Sequence, residues 1–291
     1  MYLNEIDQWC CSKLKSALPQ ADVDCADIRT VNRARVTSSR AHFFAGIGGW
    51  ELALRMAGWP QTAPVWTGSC PCQPFSSAGR RKGTADERHL WPEFRRLIDE
   101  CRPPVVFGEQ VASPDGRAWL DTVCADLEAL DFAVAAADLC AASIGAPHIR
   151  QRLYWVAIAN GERREELRLH LQQWQPRQAV AEAARRGAVG GVADAASPGR
   201  SPEERASEAQ LPTRLPIELR GQDRAGDPWF DPEWLDCADG TRRPTQPGVF
   251  PLANGIPERV GRLKDLGNAI VPQIAATFIE ATLWELQSER R

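Results

Sequence analysis

The chain lacks the features that tie a protein to a membrane or mark it for export. Its 291 residues contain no continuous apolar run of the roughly 18 residues that a membrane-spanning helix needs. The sequence also begins without the basic stretch and apolar run of a secretory leader. We therefore expect a cytoplasmic protein that does not bind membranes.

An excess of positive charge is also missing. The 35 Lys and Arg residues are outnumbered by 38 Asp and Glu residues, which gives a net charge of −3. The whole molecule therefore has no general attraction for nucleic acid. Local basic clusters do exist, one at Arg80, Arg81 and Lys82 and one between Thr241 and Lys264. Either cluster can meet phosphates, although such clusters are more often solvated surfaces.

Metal-ligand and disulfide patterns are absent despite nine cysteines. An odd number cannot pair completely, and a chain without a leader is expected in a reducing compartment. The pairs Cys10-Cys11 and Cys70-Pro71-Cys72 lack the two-residue gap of zinc sites, and the four histidines are scattered. We expect no bound metal.

Short apolar runs alternate with helical patterns over residues 1–160, which predicts β/α units and an α/β fold. No internal repeat is visible. The candidate strands cover 42–45, 65–67, 105–107, 132–134 and 153–157, and the candidate helices cover 50–57, 91–101 and 119–130.

The composition changes after residue 160. Few large apolar residues occur between Gly161 and Gly226, and acids nearly balance bases there, so we expect long parts of 161–226 to be mobile. The chain then becomes rich in Pro, Trp and Gly. It ends in an amphipathic helical pattern with Ile270, Ile274, Phe278 and Ile279 on one side.

The segment Pro71-Cys72-Gln73-Pro74-Phe75-Ser76 follows the apolar run Val65–Cys70. The prolines restrict the backbone on both sides of Cys72. This places Cys72 on a stiff turn at the carboxyl end of a strand, where α/β sheets carry their chemistry. Cys72 is therefore a candidate nucleophile. The alternative is that it is a small buried apolar residue.

A glycine-rich turn, Phe43-Phe44-Ala45-Gly46-Ile47-Gly48-Gly49, lies between a predicted strand and a predicted helix. Small residues allow close approach of a ligand, and a helix N-terminus favours an anionic group. The alternative is a tight turn without a ligand. The turn lacks the Lys-Ser/Thr pair of phosphate-binding loops, which argues against an NTPase.

Charged residues mark two further strand ends. Glu109 follows the buried-type run Val105–Phe107, where a carboxylate is costly without a partner. Arg150 and Arg152 precede another strand, and strand alternation places both on the same side. Taken singly, each is most simply explained as a salt bridge at a strand end.

In this order the segments resemble the DNA cytosine-5 methyltransferases. The resemblance rests on the turns at Phe44 and Cys72, the Glu-x-Val element at Glu109, the Arg-x-Arg pair at Arg150, and Gly267–Pro272. It covers roughly two thirds of the chain, and 161–240 cannot be aligned. It implies a Rossmann-like S-adenosylmethionine-dependent methyltransferase sheet with helices on both faces, plus a small target-recognition domain. Residues 1–160 would form the catalytic and cofactor-binding domain, 161–257 the target-recognition region, and 258–291 a segment returning to the catalytic domain.

The resemblance also implies residue roles. Cys72 would attack C6 of a flipped-out cytosine, Glu109 would protonate N3, and Arg150 and Arg152 would orient the base. The cofactor S-adenosyl-L-methionine would contact Phe44, Ala45, Gly46, Ile47, Gly48, Gly49, Pro71, Asn268 and Ala269. Double-stranded DNA would contact Gln73, Ser76, Arg80, Arg81, Lys82, Arg242, Arg243 and Arg259. We expect a monomer.

The order of the motifs departs from the family. In the family, two units ending in cofactor-binding acids follow the glycine turn, whereas here Gly58 leads almost directly to the strand of Cys72. Two such units precede the turn instead, which predicts an internal permutation. Glu5 with Ile6 would then bind the ribose, and Asp27 with Ile28 would bind the adenine. This order strains the rule that crossovers are right-handed.

Two substitutions and three alternatives remain. His148 stands where glutamine is usual, and Gln110 stands where asparagine is usual beside the glutamate. Two alternatives to a DNA methyltransferase are a catalytically silent DNA- or protein-binding remnant and an enzyme that acts on cytosine in RNA. A redox or zinc role for Cys70 and Cys72 is a more distant alternative.

Overall fold

A seven-stranded mixed sheet organises the chain. The computed structural model describes residues 1–36, 38–71, 90–144, 150–175 and 269–288, and the backbone of 233–236 and 242–245. The sheet has the strand order β2-β1-β3-β4-β5-β7-β6. Its strands are β1 (Tyr2–Asn4), β2 (Asp22–Asp24), β3 (Arg40–Phe43), β4 (Val65–Gly68), β5 (Val105–Val111), β6 (Phe132–Cys140) and β7 (Gln151–Ala159).

Strands β1 to β5 run parallel, and β7 lies antiparallel between β5 and β6. A separate antiparallel pair is formed by β8 (Glu233–Asp236) and β9 (Arg242–Thr245). The helices are α1 (Gln8–Ala17), α2 (Gly49–Met56), α3 (Trp91–Cys101), α4 (Pro114–Glu128), α5 (Glu162–His170) and α6 (Pro272–Ser288).

Local sequence explains where several helices begin and end. Asp7 caps α1 by accepting a hydrogen bond from the backbone N–H of Cys10, at 2.9 Å. Ser113 caps α4 in the same way at Gly116, and Pro114 occupies the first helical position, where its missing N–H has no cost. Arg102 ends α3 in the left-handed conformation.

Apolar side chains cover both faces of the sheet. One buried cluster joins the sheet to α2, α5 and α6, and a second joins it to α3 and α4. The alternation is visible in β4, where Val65 belongs to the first cluster and Trp66 to the second. The predicted α/β class, with helices on both faces of a Rossmann-like sheet, is confirmed.

Two crossovers on the same face of the sheet run in opposite directions. Leu3 and His42 are register partners and therefore share a face. Leu3 packs with Leu14 of α1, and His42 contacts Glu51 of α2, so both helices cover this face. The chain nevertheless runs toward the edge of the sheet from β1 to β2, and toward its centre from β3 to β4. The two crossovers therefore have opposite hands.

The next crossover identifies the exception. The β4–α3–β5 unit continues in the direction of β3–α2–β4. Its helix lies on the opposite face, because Phe94 of α3 contacts Phe43, the neighbour of His42. Two of the three units thus share one hand, and about 98% of such crossovers are right-handed. The unit β3–α2–β4 is therefore left-handed, which is the strain expected from the order of the motifs.

Residues 161–175 differ from the sequence analysis, which placed them in a mobile part of the target-recognition region. They form α5 and a following turn, and Leu167, Leu171 and Trp174 are buried in the core of the main sheet. The Trp174 indole N–H donates to the Ala57 carbonyl at 2.9 Å. The core around the main sheet thus extends past residue 160.

Candidate active site

A cavity of about 580 Å³ opens at the carboxyl ends of the parallel strands, the edge where α/β sheets bind ligands. The predicted cofactor residues line it, except Gly48 and Asn268. Its wall contains Asn4, Glu5, Ile6, Asp7, Cys10, Ala26, Asp27, Ile28, Arg29, Phe44, Ala45, Gly46, Ile47, Gly49, Trp50, Ser69, Cys70, Pro71, Leu90, Glu109, Gln110, Val111, Arg152, Ala269 and Ile270. Gly48 packs behind the wall, where an added Cβ would lie 3.3 Å from Leu14, and Asn268 lies outside the described residues.

The glycine turn forms one side of the cavity. Phe44 and Gly46 both have positive φ angles, of 53° and 54°, a conformation that costs a non-glycine residue energy and often marks functional sites. The backbone N–H of Ala45 donates to the Asn4 carbonyl at 3.0 Å, which ties the turn to the end of β1. The turn is thereby held open toward the cavity.

Glu5 connects the N-terminal strand to this turn. One carboxylate oxygen accepts the backbone N–H groups of Ile6 and Asp7, both at 2.9 Å. The other oxygen accepts the Gly46 N–H at 2.7 Å. These three bonds fix the orientation of the carboxylate, and its remaining lone pairs can accept hydrogen bonds from hydroxyl groups of a ligand.

Asp27 and Ile28 line the neighbouring part of the cavity. Asp27 caps a short 3₁₀ helix and pairs with Arg29, and the distance from Asp27 Oδ2 to Arg29 Nη1 is 2.9 Å. The Asn4 amide donates to the Ala26 carbonyl at 2.9 Å, so the loop after β2 is held by the end of β1. The residues that the sequence predicted on two separate units therefore lie side by side.

Glu109 is buried at the end of β5, 8% exposed. Its Oε1 accepts a hydrogen bond from Arg152 Nε at 2.8 Å. Burial raises the pKa of the Glu109 carboxyl to about 7, and the positive charges of Arg152 and Arg150 oppose that rise. Near neutral pH the carboxyl is therefore divided between its protonated and ionised forms, which suits a group that exchanges a proton with a bound base.

Arg150 occupies a different position from the one predicted by strand alternation. It precedes β7 and has a φ of 26°, so the alternation rule that placed it on the same side as Arg152 does not apply. Its guanidinium donates to the Ala269 carbonyl and does not line the cavity. Arg150 acts on Glu109 through its charge and anchors the C-terminal segment.

The strand that leads to Cys72 ends in the cavity wall. Pro71 lines the cavity, while Cys72 lies outside the described residues. The indole N–H of Trp50 donates to Ser69 Oγ at 2.9 Å, which joins α2 to the end of β4. Burial raises the pKa of the Cys70 thiol, so Cys70 is a poor source of thiolate.

Several wall residues were not among the predicted site residues. They are Asn4, Asp7, Cys10, Ala26, Arg29, Trp50, Ser69, Cys70, Leu90, Gln110, Val111 and Ile270. Gln110 carries the clearest signal, because it is 2% exposed and was already noted beside Glu109. Its Oε1 accepts the Val111 N–H at 3.0 Å, while its Nε2 has no hydrogen-bond partner among the residues that the structure describes.

Most predicted DNA contacts cannot be placed. Gln73, Ser76, Arg80, Arg81, Lys82 and Arg259 lie outside the described residues, as does His148, the residue noted where glutamine is usual. Arg242 and Arg243 fall on β9, opposite Asp236 and Leu235 of β8. Within the described ranges, no group of three or more His, Cys, Asp and Glu has an arrangement that could hold a metal ion, and no helix has the length and apolar character needed to cross a bilayer.

The fold and the cavity define a Rossmann-like methyltransferase domain. A family model described as C-5 cytosine-specific DNA methylase matches residues 1–197, and the chain belongs to this family. The resemblance found in the sequence motifs is thereby confirmed. The cofactor of this family is S-adenosyl-L-methionine.

Individual relatives show the same similarity over shorter stretches. The chain is 30% identical to the Type II methyltransferase M.HhaI of Haemophilus parahaemolyticus over 156 residues, which cover 40% of this chain and 48% of the relative. It is 37% identical to M1.ScrFI of Lactococcus lactis subsp. cremoris over 99 residues, covering 32% and 25%. The chain spans about half or less of the length of the curated relatives it matches.

Solved structures share only part of the architecture. The Entamoeba histolytica methyltransferase EhMeth aligns with 15% identity and a TM-score of 0.39, covering 55% of this chain and 45% of that one. Spodoptera frugiperda DNMT2 aligns with 18% identity and a TM-score of 0.38, covering 55% and 43%.

Proposed function

We propose that this protein transfers a methyl group from S-adenosyl-L-methionine to C5 of cytosine in double-stranded DNA. One observation carries the proposal. A single cavity contains both the fixed carboxylate of Glu5 beside the glycine turn and the buried Glu109–Arg152 pair. The predicted cofactor site and the predicted base site are therefore continuous, as methyl transfer between two bound molecules requires.

The cavity wall has the groups that the cofactor needs. Glu5 offers lone pairs to ribose hydroxyls, Asp27 can accept from the adenine amine, and Ile6 and Ile28 offer apolar surface. The positive φ at Gly46 lets the backbone approach the ligand closely. The cofactor supplies an electrophilic methyl group attached to a positively charged sulfur.

The chain supplies the activation of the base. Cytosine C5 is a weak nucleophile because the ring is aromatic and electron-poor. The thiolate of Cys72 would add to C6 while Glu109 gives its proton to N3, so C5 gains enamine character without accumulating negative charge. Arg152 would orient the base and balance the Glu109 carboxylate. After C5 has taken the methyl group, loss of the C5 proton and cleavage of the sulfur–C6 bond would restore the aromatic ring and the Cys72 thiolate. N3 would then return its proton to Glu109.

Access to the base requires its removal from the helix, because C6 and N3 are covered in stacked, paired DNA. Gln73, Ser76 and the basic cluster Arg80, Arg81 and Lys82 are proposed to close over the DNA. Arg242, Arg243 and Arg259 are proposed to contact guanine edges or phosphates. The sequence specificity then depends on how many of these three arginines contact guanine edges and how many contact phosphates.

We also infer that the N-terminal units are permuted relative to the family. Two features support this. The acids of β1 and β2 meet the glycine turn of β3 at one cavity, and β3–α2–β4 has the unusual hand that follows when the two units lie ahead of the turn. In the family order, the helix after the turn would lead to β1 on the same face of the sheet, which is the ordinary right-handed path.

The test is bisulfite sequencing of DNA from cells that express the protein, compared with cells that express Cys72→Ser. We expect methylated cytosines in one sequence context, and their complete loss in the variant. Cys124→Ser, a substitution on α4 away from the cavity, serves as the matched control and should keep full activity. Oligonucleotides containing 5-fluorocytosine should form a permanent adduct with the active protein when cofactor is present.

Other results separate the alternatives. Cofactor binding without methylated DNA, together with methylation of transfer RNA, would identify an RNA enzyme. Absence of cofactor binding in calorimetry at millimolar concentration would identify a silent remnant. Unchanged methylation by Cys72→Ser would refute the assigned nucleophile.

A further inference from the structure

Cys11 and Cys25 lie on the same face of the sheet, where α1 covers the end of β2. Cys11 lies near the start of α1, and Cys25 directly follows β2. Cys25 is level with Glu5, because the Glu5 N–H donates to the last residue of β2 at 3.1 Å and so continues the parallel register. The side chain of Cys25 therefore points to the face covered by α1, where the Cys11 thiol lies against the carbonyl of Glu5, the register partner of Cys25. Burial raises the pKa of the Cys11 thiol, and the neighbouring Cys25 adds to that rise.

This thiol pair borders the cavity. Cys11 Sγ donates to the Glu5 carbonyl oxygen at 3.3 Å, and Glu5 holds the Gly46 N–H. On the other side, Cys25 immediately precedes Ala26 and Asp27, which belong to the cavity wall. A bond between the two sulfur atoms would thus act on the backbone of both parts of the wall.

The two thiols differ in access. Cys11 is 2% exposed, and burial raises the pKa of its thiol to about 12. Cys25 is only partly buried. An oxidant in solution therefore reaches Cys25 first, and Cys11 then attacks the sulfur of the oxidised Cys25. Because burial leaves little of Cys11 as thiolate, this second exchange is the slow step.

We propose that Cys11 and Cys25 form a reversible disulfide and that this disulfide weakens cofactor binding. The effect on cofactor binding rests on the proposed function. With glutathione disulfide as the oxidant, the Cys25 thiolate displaces one glutathione and forms a mixed disulfide. Cys11 then displaces the second glutathione. Two S–H bonds are replaced by one S–S bond, and the two electrons and two protons end on two glutathione thiols.

The expected effect on the cofactor follows from the bond that is lost. The disulfide removes the S–H donor from the Glu5 carbonyl and draws α1 toward the loop after β2. Both changes disturb the orientation of Glu5. By thermodynamic linkage, if oxidation weakens cofactor binding by a given factor, bound cofactor opposes oxidation by the same factor.

The disulfide itself is tested without cofactor. The full chain is equilibrated with glutathione disulfide, alkylated under denaturing conditions, digested, and analysed by mass spectrometry. We expect a linked peptide pair containing Cys11 and Cys25, with a mass two hydrogens below the sum of the reduced peptides. Cys25→Ser should abolish it, and the control variants Cys10→Ser and Cys124→Ser should retain it. Absence of the linked pair, or linkage of Cys25 mainly to another cysteine, would overturn the site.

The regulatory part is tested by calorimetry with S-adenosyl-L-methionine on the reduced and oxidised chain. We expect binding about fivefold weaker after oxidation, a coupling at the low end of those usual between two sites. Equal affinities would refute the regulatory effect and leave the disulfide in place. No binding by either form would refute the proposed function instead. The Cys25→Ser variant should bind equally before and after glutathione treatment.

Discussion

Glu109 is the residue at which burial and pairing oppose each other most directly. Removal from water favours the neutral carboxyl, while the guanidiniums of Arg152 and Arg150 favour the carboxylate. Burial wins, and the pKa rises to about 7. A carboxyl in this range can give a proton to a bound base and recover it at the pH of the cell.

A pH dependence of stability follows from this shift. The pKa of Glu109 is higher in the folded chain than in the unfolded chain, so the folded state binds the proton more tightly. Stability is then greatest below the unfolded pKa near 4.5 and declines as pH rises toward 7, by up to about 3 kcal/mol. Chemical denaturation between pH 5 and 8 should show this decline in the native chain and a flatter profile in Glu109→Gln.

The neighbouring substitution Gln110→Asn serves as the control, because it alters the same strand end without removing a titrating group. It should keep the decline of the native chain. Identical pH profiles for Glu109→Gln and the native chain would contradict the raised pKa.

At the scale of elements, the spacing of apolar residues in the sequence located those helices and strands whose formation depends on a continuous buried face. The helix predicted over 91–101 is confirmed as α3, because Trp91, Phe94, Leu97 and Ile98 give one continuous buried face. The strand predicted over 132–134 continues to Cys140. Its extension runs through small alanines with little strand preference, and it is stabilised by the ladder with β7 and by packing of Ala135, Ala137 and Leu139 against the core.

Tertiary contacts decided the elements that periodicity missed. The buried residues of 161–175 stand at Leu167, Leu171 and Trp174, a helical spacing that a composition poor in apolar residues concealed. The backbone of Arg150 has a positive φ, which no strand pattern reveals. In the cavity, the rule that ligands bind at the carboxyl ends of strands grouped the motifs correctly, but the bond from Gly46 to Glu5 joins positions 41 residues apart.

That bond joins the end of β1 to the proposed cofactor site, which leads to a prediction for this element. Glu5→Ala removes the acceptor for the Gly46 N–H and for ribose hydroxyls, so cofactor binding should weaken by about 1–3 kcal/mol. Calorimetry with S-adenosyl-L-methionine measures the change. The control is Asp22→Asn, because Asp22 is exposed and lies at the opposite end of β2, and this variant should bind the cofactor normally. An unchanged cofactor affinity in Glu5→Ala would mean that the N-terminal units resemble the cofactor motifs only by chance.

At the scale of the whole molecule, the order of the strands in space matters more than their order in the chain. The cavity needs β2, β1 and β3 side by side, and this arrangement does not depend on which connection joins them. The left-handed β3–α2–β4 unit shows that the chain tolerates an unfavourable connection when each strand keeps its neighbours. The packing of α2 on α6 and the core of the same face then stabilise the result.

A reordered chain tests this directly. Residues 38–63 would come first, followed by a short Gly/Ser linker, residues 1–37, a second short linker, and residues 64–291. The second junction is favourable, because the Val65 N–H donates to the Ser39 carbonyl at 3.0 Å, so the chain before β3 passes close to the start of β4. The first junction must cross about 10 Å, two strand spacings, which a linker of about five residues can span.

The reordered chain would run from the glycine turn through α2 to β1, and then through α1 to β2. These two crossovers and the unchanged β4–α3–β5 crossover would all be right-handed. It should fold, with thermal unfolding as cooperative as in the native chain, and it should bind S-adenosyl-L-methionine within about tenfold of the native affinity, because every strand keeps its neighbours and the cavity keeps its wall. The control carries the same two linkers at the same positions in the native order, and separates damage at the junctions from the effect of order. If the control folds and binds the cofactor but the reordered chain does neither, the N-terminal units depend on their present connections. The inferred permutation would then be wrong.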